Sequence, residues 1–233
     1  MSKDLDNKYF IILNKDKIIF NCLNNQNKIS FIQKYNFINH DLNDLFKEIE
    51  IFFNNNLIKI EKQLDDFIRK IYVIVDLDNA LSTSLSIKYH VETEKINDQK
   101  VNDLINILKY EFTKHNNNEE IIHIRINKLI IDGLEKDLSS INKNFQNLIL
   151  EVKFESLKEQ FVHIVKKSVS KYQISVEKIL LASHIRETAQ SQSSNIISMA
   201  DKIISGEERN EVKWIKKKHI KYGFFEKFFN FFN

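Results

Sequence analysis

Six phenylalanines crowd into the last ten residues, Phe224-Phe225-Glu226-Lys227-Phe228-Phe229-Asn230-Phe231-Phe232-Asn233. Projected on a helix at 100° per residue, Phe224, Phe225, Phe228, Phe229, Phe231 and Phe232 fall within an arc of about 160°, and the polar residues take the rest. Immediately upstream stand Trp214, Lys216, Lys217, Lys218 and Lys221. From residue 212 onward six lysines face one glutamate, a charge of +5, so residues 1–211 carry −2 of the chain's +3. Phenylalanine for the acyl boundary, tryptophan for the interface and lysine for anionic headgroups form the chemistry of an interfacial membrane anchor. Each lysine at an anionic surface contributes roughly 1 kcal/mol, about 5 in total, which fits reversible attachment. A helix this short is marginal in water, so lipid is expected to order it. The plainer reading is a terminal helix that docks its phenylalanines on the protein's own core.

Other reactive residue types form no such pattern. The seven histidines (His40, His90, His115, His123, His163, His184 and His219) have no metal-ligand spacing. His123 sits between Ile122 and Ile124 in an alternating run, as a solvent-facing or internally satisfied histidine would. Asp76-Leu77-Asp78 ends an apolar run; it reads as a strand-terminating loop more readily than as a metal site. Cys22 is the only cysteine, which excludes internal disulfides and cysteine zinc clusters and suggests a small core residue. With three glycines (Gly133, Gly206, Gly223) and no proline, no glycine-rich phosphate loop is present, nor any nucleophile-elbow motif. No catalytic residue, metal site or cofactor site is expected, and the protein does not read as an enzyme.

The chain has 233 residues, 42% hydrophobic and 29% charged, a foldable composition for one domain or two small ones. A net charge of +3 is too small for a general nucleic-acid binder. The polar start lacks the apolar run of a signal peptide, and no window reaches the length of a membrane span. The expectation is a cytoplasmic protein brought to a membrane surface by its tail.

The elements that position these residues follow from periodicity. Residues 8–13, 17–23 and 28–35 read as three strands joined by polar turns at 14–17 and 24–27. Asp41, with Asp44 three positions on, is an N-cap for a helix striped by Leu42, Leu45, Phe46, Ile49, Phe53, Leu57 and Ile60. Residues 71–75 form an uninterrupted apolar run, a buried strand. A second unit begins with an alternating strand at 84–91. It continues with a helix capped by Asp98 and striped by Val101, Leu104, Ile105, Leu108 and Phe112. Strands at 121–131 and 147–154 flank a turn at Asp132-Gly133, and Ser156 caps a further helix through Phe161, Ile164, Val165 and Val169. Residues 172–182 read as a returning strand. Residues 183–205 are polar, with a helical stripe at Ile196, Ile197, Ala200 and Ile204, and 206–210 form a charged break.

In order, these features resemble FtsA, the actin-like bacterial division protein that tethers the FtsZ ring to the membrane. Ile121-Ile122-His123-Ile124, running on to Ile130-Ile131-Asp132-Gly133, resembles a strand pair of that family. Asn147–Phe154 resembles the strand after it, and the stretch through Lys166 the following helix. Ile174–Ser183 resembles the next strand, and Trp214 with Gly223–Phe229 the membrane-targeting helix. The family's second actin-like half has no counterpart here, so the likeness is to a truncated member. ATP belongs to the family, but the glycines of its phosphate loop are absent from Asn14-Lys15-Asp16-Lys17, so no cofactor is expected.

The resemblance implies an α+β fold: a partial actin-like (ribonuclease H-like) subdomain, an SHS2-type β-α-β-β-α insert and a C-terminal amphipathic helix. The expected divisions are 1–82 for the first actin-like subdomain, 83–171 for the insert, 172–205 for a return strand and helix, 206–221 for a charged linker and 222–233 for the membrane helix. The implied partners are an anionic membrane surface, FtsZ or other division proteins, and further copies of the chain, with no nucleic acid. The implied location is the cytoplasmic side of the plasma membrane. A PilM-like pilus adaptor shares the insert but would not be expected to end in this tail. A nucleic-acid adaptor using the lysines at 213–221 would make no use of the phenylalanine face.

Overall fold

A computed structural model describes residues 7–37, 45–137, 144–188, 195–207 and Val212. Within them the chain is mixed α+β, with two sheets and five helices. Three N-terminal strands, β1 (Lys8–Asn14), β2 (Lys17–Leu23) and β3 (Ile29–Asn36), form an antiparallel meander. The β2–β3 turn is held by Asn24, whose side chain accepts from the amides of Gln26 and Lys28, while Asn27 takes the left-handed backbone (φ 56°) that asparagine tolerates. Helix α1 (Leu45–Leu64) follows, then β4 (Lys70–Asp76), which pairs in parallel with β1. The Asp41 cap and Asp44 lie outside the described residues.

The chain then leaves this sheet. Strand β5 (Leu81–Lys95), helix α2 (Asp98–His115), strands β6 (Glu119–Ile131), β7 (Leu134–Glu135) and β8 (Asn144–Lys158) build a second, antiparallel sheet in the order β5-β8-β6-β7. Asp132 and Gly133, at φ 50° and 81°, are the two left-handed residues of the β6–β7 hairpin. Helix α3 (Glu159–Ser170) leads back to β9 (Ser175–Leu181), which joins the first sheet beside β4, again in parallel. Helices α4 (Ala182–Thr188) and α5 (Ile196–Ser205) close the described part, α5 ending in a left-handed Gly206 (φ 80°). The first sheet therefore reads β3-β2-β1-β4-β9. With its antiparallel meander and parallel β1, β4 and β9, this is the order of a ribonuclease H-like, actin-like subdomain.

Three apolar clusters hold these layers. Phe20, Phe52, Phe53, Val73 and Val165 fill the space between the first sheet and α1 and α3. Phe10, Ile12, Ile74, Leu180, Ile185, Ile197, Ala200 and Ile203 fill the opposite face beneath α4 and α5. Leu104, Leu108, Phe112, Ile126, Leu150 and Phe154 pack α2 onto the second sheet. Lys8 adds a 2.5 Å ion pair to Asp201 of α5. Cys22 is buried, as a small core residue should be.

Several local expectations require correction. Asn97, not Asp98, caps α2: its backbone is extended and its side chain accepts from the Lys100 amide at 2.8 Å. Asp98 instead occupies the first turn, where a carboxylate favours the helix dipole. Ser156 caps nothing. It is buried within β8, which runs to Lys158, and its hydroxyl donates to Glu119. Glu155, Ser156 and Leu157 are all buried, because this end of β8 enters the junction between the sheets and the alternation that marks a one-sided strand is lost. Residues 182–188 form a helix that the polar sequence does not announce. In α5 the buried face includes Ile203, and Ile204 is only partly buried.

Candidate functional site

The carboxyl ends of parallel strands are where an α/β sheet presents its binding crevice. Here they bring Asn14 and Asp76 side by side in register, with α4 starting directly after β9. Arg186 of α4 donates two hydrogen bonds to Asp76, both 2.8 Å, and the carboxylate holds the guanidinium above its ordinary pKa. Lys15, in the β1–β2 turn, pairs with Asp78 at 2.5 Å and holds that carboxyl below the usual range. The two carboxylates of Asp76-Leu77-Asp78 are thus directed to two separate cations. Among the described residues no cluster of three or more potential ligands could hold a metal ion. The lysine and arginine that could meet a phosphate are likewise engaged by carboxylates, and the turn between Asn14 and Lys17 contains no glycine.

A second polar cluster lies where the sheets meet. His123 of β6 and His184 of α4, distant in sequence, stack with ring centroids 3.7 Å apart and planes 8° from parallel. The Leu181 amide of β9 donates to His123 Nε2 at 3.0 Å, which fixes that nitrogen as unprotonated. His184 Nδ1 is 2.5 Å from Glu155 of β8, and its Nε2 is buried with no hydrogen-bond partner. Burial pushes the Glu155 carboxyl up, but the His184 hydrogen bond, aided by the nearby Lys153 charge, outweighs it and leaves the pKa lowered. Lys153 reaches Glu155 at 3.5 Å and Glu187 at 2.7 Å, while Arg125 reaches Glu187 at 3.4 Å. His123 is therefore an internally satisfied histidine. Its partner was not foreseeable from the sequence, since no spacing rule links two histidines that meet through a sheet crossover.

An open cleft of about 810 Å³ lies between the end of α2 and the start of α3, lined by His115, Glu119, Lys158, Glu159 and His163. Its charges are of both signs, and they single out no ligand class.

The residues assigned to membrane binding, Trp214, Lys216, Lys217, Lys218, Lys221, Phe224, Phe225, Phe228, Phe229, Phe231 and Phe232, lie outside the described residues. Their root does not. The Val212 amide donates to the Ile124 carbonyl of β6 at 2.9 Å, and its side chain packs against the second sheet's core. No helix among the described residues is long and apolar enough to cross a membrane.

No protein-family model and no curated protein matches the chain. Among solved structures it is similar to the cytoplasmic domain of EpsL, an inner-membrane component of the type II secretion system of Vibrio cholerae. That likeness has 10% identity and a TM-score of 0.43, covering 80% of this chain and 60% of that one. A PilM–PilN type IV pilus biogenesis complex is similar at 9% identity and a TM-score of 0.47, covering 76% and 48%. A Bacteroides thetaiotaomicron protein of actin-like ATPase fold and unknown function is similar at 11% identity and a TM-score of 0.36, covering 83% and 62%. The chain thus spans about half to three-fifths of the length of each. Likenesses at these scores carry no argument about activity or partners.

Proposed function

We propose that this chain is an FtsA-like adaptor without nucleotide hydrolysis, held peripherally on the cytoplasmic face of the plasma membrane, where it links FtsZ or another division protein to lipid. The observation that carries this reading is the partition of residues 212–233 into an all-phenylalanine face and a lysine cluster. The seat of Val212 on β6 gives the tail a fixed origin on the insert. In this reading, lipid-bound phenylalanines hold the second sheet close to the headgroups, and the insert offers the surface for protein partners. The turn without glycine at Asn14–Lys17, together with the ion pairs at Lys15 and Arg186, supports an adaptor that does not hydrolyse ATP.

The test is co-sedimentation with vesicles of phosphatidylcholine and phosphatidylglycerol, comparing the wild type with a Phe228→Asp/Phe229→Asp double variant. Wild-type binding that weakens with salt, and its loss in the variant, is expected. Equal sedimentation of the two proteins would place the phenylalanines in the protein's own core and remove the anchor. With the anchor established, vesicles carrying the wild type are expected to recruit FtsZ polymers.

A further inference from the structure

The outer strands of the two sheets are not equally guarded. A strand with no neighbour on one side presents a row of open N–H and C=O groups to any chain that can pair with it. β7 is only two residues long, and β9 carries Glu177 and Lys178 and leads straight into α4. β3 spans eight residues. β5 spans fifteen, and among the described residues it pairs with β8 alone. Its register on β8 is unbroken from Leu81 to His90 and shifts only between His90 and Glu94. The run from Leu81 to His90 has no proline, no glycine and a single lysine, Lys88, as its fixed charge. This run is also matched to itself. Two copies set antiparallel about an axis through Ser86 place Leu85 opposite Ile87 and Thr83 opposite Tyr89 on the side toward α2. On the exposed side Ser84 meets Lys88 and Ser82 meets His90. Apolar meets apolar, polar meets polar, and the two lysines face serines instead of each other. Leu85, Ile87 and Tyr89 pack against the core beneath α2 but stay only partly buried, and a strand laid beside them would complete their burial.

We propose that β5 is the docking edge for a second copy of this chain, the two insert sheets joining antiparallel around Ser86 into one continuous sheet. An axis perpendicular to the sheet keeps both α2 helices, and both Val212 side chains packed beside them, on the same side of the joined sheet. The pairing itself needs neither lipid nor tail. Its consequence rests on the anchor reading: one particle then carries two phenylalanine tails and binds a bilayer more tightly than a single copy.

Sedimentation velocity of the full chain without lipid tests this, beside the Phe228→Asp/Phe229→Asp variant, in which association through the phenylalanines is lost. An interface the size of one strand should give a monomer–dimer equilibrium in the range of about 10–100 μM in both proteins. Ser86 is exposed, so charge there leaves the fold intact. Ser86→Lys sets two lysines against each other at the axis and should weaken the dimer about tenfold. Ser86→Glu should do the same, and an equimolar mixture of the two variants should restore the dimer. With Cys22 buried, a short bis-maleimide should join two copies of Ser86→Cys. It should not join Ser82→Cys, whose thiols lie about 27 Å apart across the axis. A wild type that stays monomeric over this range would overturn the proposal. So would association that vanishes in the phenylalanine variant, a dimer indifferent to both charges, a mixture that stays monomeric, or equal joining of the two cysteine variants. A monomer that still binds vesicles would leave the anchor standing while this pairing falls.

Discussion

The first sheet has α1 and α3 against one face and α4 and α5 against the other, whereas the second carries α2 on one face and exposes Ser84, Ser86 and Lys88 of β5 on the other. The contrast is written in the strands. β1 is buried from Tyr9 through Leu13, and β4 is apolar from Ile71 through Val75, as two-sided burial requires. β5 alternates, with Leu85, Ile87, Tyr89 and Val91 toward α2 and polar residues outward. Helices α4 and α5 cover the second face of this sheet from within the described residues. The first sheet is thus covered on both faces, and the second leaves the polar side of β5 exposed.

Three perturbations break or sharpen this contrast. Phe10 is fully buried beneath α4 and α5 and stacks on Tyr72 at 5.2 Å. Phe10→Ala is expected to cost about 3–5 kcal/mol in denaturant unfolding, and every probe should report the loss. If only α5 melted, the first sheet would not depend on its second cover. At the junction, Glu155→Gln is expected to cost about 2 kcal/mol at pH 7, because the hydrogen bond from His184 loses its charged acceptor. The sign follows from the lowered carboxyl: its contribution is present above the ordinary carboxylate value and is lost as pH falls through the folded value. Melting temperatures of wild type and variant should therefore converge only as the pH falls below the ordinary carboxylate range, and a gap that persists in strong acid would assign the effect to packing. On the second sheet, Asn97→Ala removes the cap of α2 and should cost about 1 kcal/mol. Exchange should quicken in the first turn of α2 while β1 and β4 stay protected. Equal loosening of β1 would mean that the two sheets unfold as one unit.

Strands that repeat every second residue and helices with unbroken stripes could be read directly. The three N-terminal strands, β4 and the core positions Val101, Leu104, Ile105, Leu108 and Phe112 of α2 appear where periodicity placed them. The misreadings fall where tertiary contact replaces pattern. Ser156 has the composition of a cap but lies in a strand buried at the junction, and Asn97 outcompetes Asp98 because its backbone is the extended one. α4 carries His184 and Arg186, each of which finds its role only against another element.

Sequence alone determined the composition of the tail, the absence of a glycine phosphate loop and the alternation that separates a one-sided sheet from a two-sided one. All of these are local properties of residue type and spacing. The tertiary structure decided that β9 returns beside β4, that α4 and α5 cover the second face of the first sheet, and that His123 meets His184 beside Glu155. Such contacts join residues far apart in the chain, and whether a polar group is exposed, paired or buried depends on which distant backbone folds against it.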